Sequence, residues 1–263
     1  MSPALTQSVV HRRFLVLTGL RWLPVGLLIP VIVLLPLDRG LTLSQIGLAA
    51  SLQGFVVLGL ELPTGGLADA LGRRRVLLMA GVVGIASVTL ILLAQDMAAF
   101  AVAYALQGVY RALDSGPLEA WYVDASLETD PEAKIERGLS GAGVTLGVTI
   151  SAGALVSAGL IALGDLGGVE ALALPVLASL VVQVVALAGV AVLMTEVGPA
   201  AGSGAAIRAA LEAPAMIASG LRLLRHSRVL LAIVVVEVFW GFGSMTYESL
   251  LPIRLTDIVD APE

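Results

Sequence analysis

"GGLADALGRRR", residues 65–75, sets one aspartate, three glycines and three consecutive arginines between two long apolar runs. Outward from that knot, the 263-residue chain is 58% hydrophobic and only 13% charged, with a mean hydropathy of +0.97. Such a composition lies well beyond that of a water-soluble domain. Lipid is therefore the solvent, and the knot marks a place where the chain turns at the membrane surface. Apolar runs of about 20 residues, enough to cross roughly 30 Å of hydrocarbon, lie near 14–37, 43–66, 76–95, 98–121, 139–163, 171–195 and 229–253. The fold class is an all-α polytopic membrane protein.

The longest polar break gives the domain organisation. Residues 1–195 read as a six-helix transmembrane bundle, 196–228 as an interdomain linker, and 229–263 as a seventh span opening a second bundle. The linker holds Pro199, Gly202 and Gly204, then an apolar and arginine-bearing stretch suited to a helix lying at the interface. The first span ends "LLPLDRGLT" and the seventh "LLPIRLTDI". That echo fits the repeated halves of transporter folds.

Positive charge sets the orientation. With the N-terminus inside, Arg12, Arg13, Arg21, Arg73, Arg74, Arg75, Lys134, Arg137 and the linker arginines all fall on the cytoplasmic face, whereas Arg39 and Arg254 fall outside. The first run follows His11, Arg12 and Arg13 and exceeds the length of a cleavable signal, so it reads as an uncleaved anchor. The chain is thus expected to be a multi-pass protein of the plasma membrane.

Several function classes drop out. There are no cysteines, which removes thiolate metal sites and thiol nucleophiles. The two histidines, His11 and His226, form no local motif, and no HExxH, Walker A loop or GxSxG occurs. No cofactor, metal or nucleic acid is expected, and no enzyme activity. Any work must draw on an ion gradient or on the solute's own.

The knot, in its position between spans two and three, resembles the signature loop of the major facilitator superfamily. Gly65, Asp69, Gly72, Arg73 and Arg74 match its glycine, aspartate and paired basic positions, while Ala70 replaces a customary basic residue. "ELPTG" at 61–65, "RALDSGPLEAWYVD" at 111–124 and "LRLLRHSRVL" at 221–230 are similar to bacterial efflux members. The resemblance covers the first seven of that family's twelve spans. It implies a six-helix N-terminal bundle plus the seventh span, and secondary transport by alternating access: proton-coupled efflux of small apolar or amphipathic compounds. Two alternatives stay open, a non-transporting fragment or half-bundle that binds a partner or its missing C-terminal half, and an uptake permease for a sugar or metabolite.

The site residues follow from charge at depth and from the resemblance. Tight reversal at the knot is assigned to Gly65, Gly66 and Gly72. Similar proteins use this cluster as a latch that steadies the outward-open state, and Asp124 is the candidate partner for Arg73 or Arg74. Charges at bilayer depth are functional candidates. Arg111, Asp114, Glu237 and Glu61 are the candidates for proton coupling, with a structural Arg111–Asp114 pair as the plain alternative. Phe239, Trp240 and Tyr247 offer apolar surface to a substrate, and Pro30 a bend in a cavity-lining first span. Arg21 beside Trp22 reads as an interface anchor. In span five, Gly143, Gly147 and Ser151 recur every four residues as a groove for close helix packing.

Overall fold

The computed structural model describes residues 6–195, 222 and 225–259, without the side chains of 62, 63, 65, 66, 69, 242 and 245–259. The expected linker over 196–228 and its interfacial helix fall almost wholly outside the described residues. The helices are α1 (Gln7–Leu28), α2 (Leu34–Asp38), α3 (Leu43–Leu71), α4 (Arg73–Leu93), α5 (Met97–Asp114), α6 (Pro117–Thr129), α7 (Ile135–Ala162), α8 (Leu174–Leu193) and α9 (Arg228–Val259). No strand occurs among the described residues. The all-α class holds. Among the described residues, four stretches are long and apolar enough to cross a membrane: 43–61 in α3, all of α4, all of α7, and 171–193, which ends with α8.

The first and fourth expected spans are each divided, and proline explains both breaks. Between α1 and α2 the chain turns through 29–33. Pro36 lacks the N–H that would have bonded the carbonyl of Ile32. Tyr104 fills the gap, donating its hydroxyl to Ile32 O at 2.6 Å. Between α5 and α6, Gly116 takes φ +93° and Pro117 opens the new helix at its first position. There a missing N–H costs nothing, because no intrahelical partner exists for it.

The knot proves to be helix on both sides. α3 runs through Leu71 and α4 begins at Arg73, so Gly72 alone makes the reversal, at φ 97° and ψ 142°. Gly65 and Gly66, expected in the turn, lie inside α3. A mid-helix glycine costs only about 1 kcal/mol against alanine, so its presence does not by itself end a helix.

Packing follows a crosswise pattern. α1 lies chiefly against α7 and α8, α5 against α3 and α4, and α4 against α8. Exchanging α1 with α5, α3 with α7 and α4 with α8 reproduces the same pattern. The two flanking contacts also bring backbone close to backbone. A Cβ on Gly26 of α1 would stand 2.5 Å from the carbonyl oxygen of Ile150 on α7, and one on Gly108 of α5 would stand 2.7 Å from that of Gln53 on α3. Gly153 completes the first crossing: a Cβ there would stand 2.9 Å from the Gly26 backbone. The expected groove of Gly143, Gly147 and Ser151 is instead exposed, with open space beside both glycines. Four-residue spacing defines a stripe along α7; which way that stripe faces depends on the partner helix.

Arginines tie off helix ends. Arg39 donates to the carbonyls of Ile91, Leu92 and Ala94 at the end of α4, at 3.2, 3.0 and 2.6 Å. Arg13 and Arg74 donate to Leu193 and Ala191 at the end of α8, at 2.9 and 2.7 Å. Each satisfies carbonyls that a helix terminus leaves without partners. α9 makes no extensive contact with the bundle among the described residues, and its residues 229–241 are exposed.

Candidate functional site

The break between α5 and α6 collects the charge. α5 ends at Asp114, and the carbonyls of its last turn lose the amides that a continuous helix would have brought. Side chains from two neighbouring helices replace them. Thr64 of α3 donates to Ala112 O at 2.8 Å, and Arg21 of α1 donates through Nη2 to Asp114 O at 2.9 Å. Arg21 does more. Its Nε pairs with the Asp114 carboxylate, and its Nη1 donates to Glu119 Oε1 at 2.8 Å.

One guanidinium is therefore shared by two carboxylates across a broken span. Its planar fork suits that task, because the three donors used point in fixed directions. The side chains of Arg21 and Asp114 are 15% and 13% exposed, whereas that of Glu119 is 41% exposed. The pair thus has an inner and an outer carboxylate. Glu119 Oε2 is buried with no hydrogen-bond partner among the described residues, and Glu119 stands in the first turn of α6, where the helix dipole favours its charge.

The expected assignments divide at this point. Asp114 is at the centre of the cluster. Arg111 is exposed and is not its partner, so the Arg111–Asp114 pair gives way to Arg21–Asp114. Both residues lie in α5, but Arg111 is turned outward while the Asp114 carboxylate meets the guanidinium that α1 brings to it. Glu61 lies at the edge, with Ser115 Oγ donating to its Oε1 at 3.4 Å, the long limit of a hydrogen bond. Glu237, Phe239 and Trp240 are exposed on α9 and join none of these residues. The side chain of Tyr247 lies outside the described residues. Pro30 is half-buried in the turn after α1.

At the end of the bundle where α3 meets α4, Arg73 donates through Nε to Asp124 Oδ2 at 3.1 Å, and its Nη2 lies 3.1 Å from the same oxygen. The expected Arg73–Asp124 contact is present. Arg74 goes elsewhere, to the end of α8. Gly72 is the joint between the two helices, Gly65 lies within α3, and the Asp69 side chain is outside the described residues.

Sequence reasoning missed Arg21 as a bundle residue and gave Glu119 no role. The signal was available in "DSGPLE", residues 114–119, where a glycine and a proline inside an apolar run announce a new helix with Glu119 in its first turn. The need for a cation opposite that break then points to Arg21, which lies deeper in its span than an anchor should.

Two comparisons bear on what this arrangement belongs to. No curated protein matches the chain. The description "Major Facilitator Superfamily" matches it over residues 14–259, a range that takes in α1 from Phe14 onward, the Gly72 joint, the divided fourth span and α9. With its helical fold and multi-pass apolar character, this chain belongs to the major facilitator superfamily of membrane transporters.

Proposed function

We propose that the protein is a proton-coupled exporter of small apolar or amphipathic compounds, working by alternating access from the plasma membrane with its N-terminus in the cytoplasm. The observation that carries this reading is Arg21 shared between Asp114 and Glu119. Two carboxylates facing one cation leave a net negative charge at bilayer depth, where unpaired charge costs several kcal/mol. Taking up a proton removes that charge. Releasing it restores the charge, and Arg21 holds whichever carboxylate is ionised. Because those contacts also cap the α5 carbonyl, protonation and the geometry of the fourth span are linked.

The pair Arg73–Asp124 fits a latch at the cytoplasmic end, with Gly72 as the joint and Gly65, Asp69 and Arg74 beside it. Glu61 and Arg111 flank the coupling site. α9 supports a domain division in which residues 1–195 form one bundle, 196–228 a linker and 229–263 the first helix of a second bundle. Its exposed Phe239 and Trp240 need apolar surroundings that the first bundle does not supply, and with Tyr247 and Pro30 they remain candidates for a substrate surface.

The test is transport in inverted membrane vesicles containing the chain, energised by an imposed pH gradient, with a fluorescent lipophilic cation as the solute. Accumulation that collapses with the gradient is expected. Asp114→Asn is expected to abolish it, and Glu119→Gln to displace its pH dependence. Gradient-independent distribution of the probe, unchanged in Asp114→Asn, would sink the coupling reading.

A further inference from the structure

Between α1, α4, α5 and α8 the bundle holds a cavity of about 40 Å³, bordered by Arg21, Gly81, Tyr110, Asp114, Gln183 and Leu187 among others. A water needs about 10–15 Å³ by the same measure, so there is room for about three. Gln183 stands in an α8 that is apolar around it, and is only 7% exposed. Its carboxamide has two donors and an acceptor, yet it has no hydrogen-bond partner among the described residues, and neither has the Tyr110 hydroxyl. Leaving such a group dry and unpaired is expensive.

A glycine beside the cavity lets its two uncharged polar side chains approach each other. A Cβ on Gly84 would lie 3.0 Å from Gln183 Oε1 and 3.0 Å from Tyr110 Cδ2. Both polar side chains therefore converge over a residue that has none. A cavity lined by leucine alone stays empty, whereas one with an amide, a phenol, a carboxylate and a guanidinium meets the requirement of two to four polar partners per water.

We infer that this cavity is an internal water site in which Gln183 and Tyr110 hold a short chain of waters against Asp114, and that the proton reaches Asp114 along it. The second half rests on the coupling role proposed for Asp114; the water site itself does not. The charged and titratable groups around Asp114 are Arg21 from α1, Tyr110 and Arg111 from α5, Glu119 from α6 and, through Ser115, Glu61 from α3. α4 and α8 bring none, only Gly81 and Gln183. Gln183 is a positioning residue: it acts on the proton through water.

The experiment is X-ray hydroxyl-radical footprinting of the purified chain in lipid nanodiscs, reading oxidation of Tyr110 after brief mixing with oxygen-18 water. Radicals form from the waters in place, so a hydrated cavity labels Tyr110 despite its position inside the bundle, with oxygen exchanging slowly. Gln183→Leu, close in volume and apolar, is expected to cut that labelling severalfold, while Gln183→Asn keeps most of it. A thermal unfolding midpoint at or above that of the parent establishes that Gln183→Leu folds. Absence of Tyr110 labelling in the parent, or equal labelling in Gln183→Leu, overturns the water site.

Vesicle transport tests the second half. Gln183→Leu is expected to shift the pH profile of gradient-driven transport and to lower its solvent isotope effect, and Gln183→Asn to restore both. An unaltered profile in Gln183→Leu overturns the proton path. A parent chain with no gradient-driven transport but normal footprinting would overturn the coupling reading and leave the water site standing.

Discussion

Tyr104 of α5 donates its hydroxyl at 2.6 Å to the carbonyl of Ile32, the one that Pro36 leaves without a helical amide. The bond crosses from the fourth span to the first and makes a proline break tolerable in a medium that offers backbone groups no water. Tyr104→Phe removes the one donor that oxygen has among the described residues while keeping the ring. The expected loss is about 1–3 kcal/mol, the cost of orphaning a buried acceptor, seen as a lower midpoint in detergent by tryptophan fluorescence. An unchanged midpoint would mean that the turn at 29–33 rearranges without cost.

Removing Arg21 strands two carboxylates. Arg21→Gln is expected to destabilise the bundle by about 3–5 kcal/mol at neutral pH, as for a buried pair robbed of one partner. Acid should recover part of the loss, because neutralised carboxylates no longer need a cation. Adding Asp114→Asn and Glu119→Gln should recover most of it at neutral pH. A midpoint in the triple variant no better than in Arg21→Gln alone would show that Arg21 acts mainly by capping Asp114 O.

Arg73–Asp124 should behave differently. Asp124 is 41% exposed, and pairs of that exposure contribute about 0–1 kcal/mol. Asp124→Asn is therefore expected to leave the unfolding midpoint nearly unchanged while altering which face of the protein is accessible, read by thiol labelling of single cysteines placed in this cysteine-free chain. Asp69→Asn should act in the same direction. Equal labelling in parent and variants would remove the latch.

The close crossing of α1 and α7 makes a contrast of two glycines. Gly26→Val drives a side chain into the Ile150 backbone, which cannot rotate away, and should cost at least the 1–3 kcal/mol of overpacking. Gly143→Val meets open space and should be neutral or slightly stabilising, since valine has the better helix propensity. Similar midpoints for the two variants would mean that α1 and α7 separate readily.

The legible part of this fold was whatever depends on composition along one chain. Apolar run length gave the helical class and the approximate spans, and the spaced glycine, aspartate and arginines of residues 65–75 gave the family resemblance that the match over 14–259 bears out. Arg73–Asp124 was also legible, since few carboxylates lie within reach of that turn. The illegible part depends on azimuth and on which helices meet. The stripe of Gly143 and Gly147 and the packing glycine Gly153 lie on one helix with no sequence mark to separate them. Arg21 and Asp114 are 93 residues apart, and nothing local in either segment announces the other.

The crosswise pattern of the bundle extends to its breaks. Ile32 stands six residues after Gly26 and Asp114 six residues after Gly108; each carbonyl receives a side chain from the opposite divided span, Tyr104 in one case and Arg21 in the other. The two joints are mechanical counterparts of different chemistry, a neutral rivet at one end and an ionic clasp at the other. Acidity can therefore loosen one and not the other. A bundle pinned at one end and released at the other swings about the fixed pin, so the sense of any proton-driven tilt is written into which of the two breaks received the tyrosine.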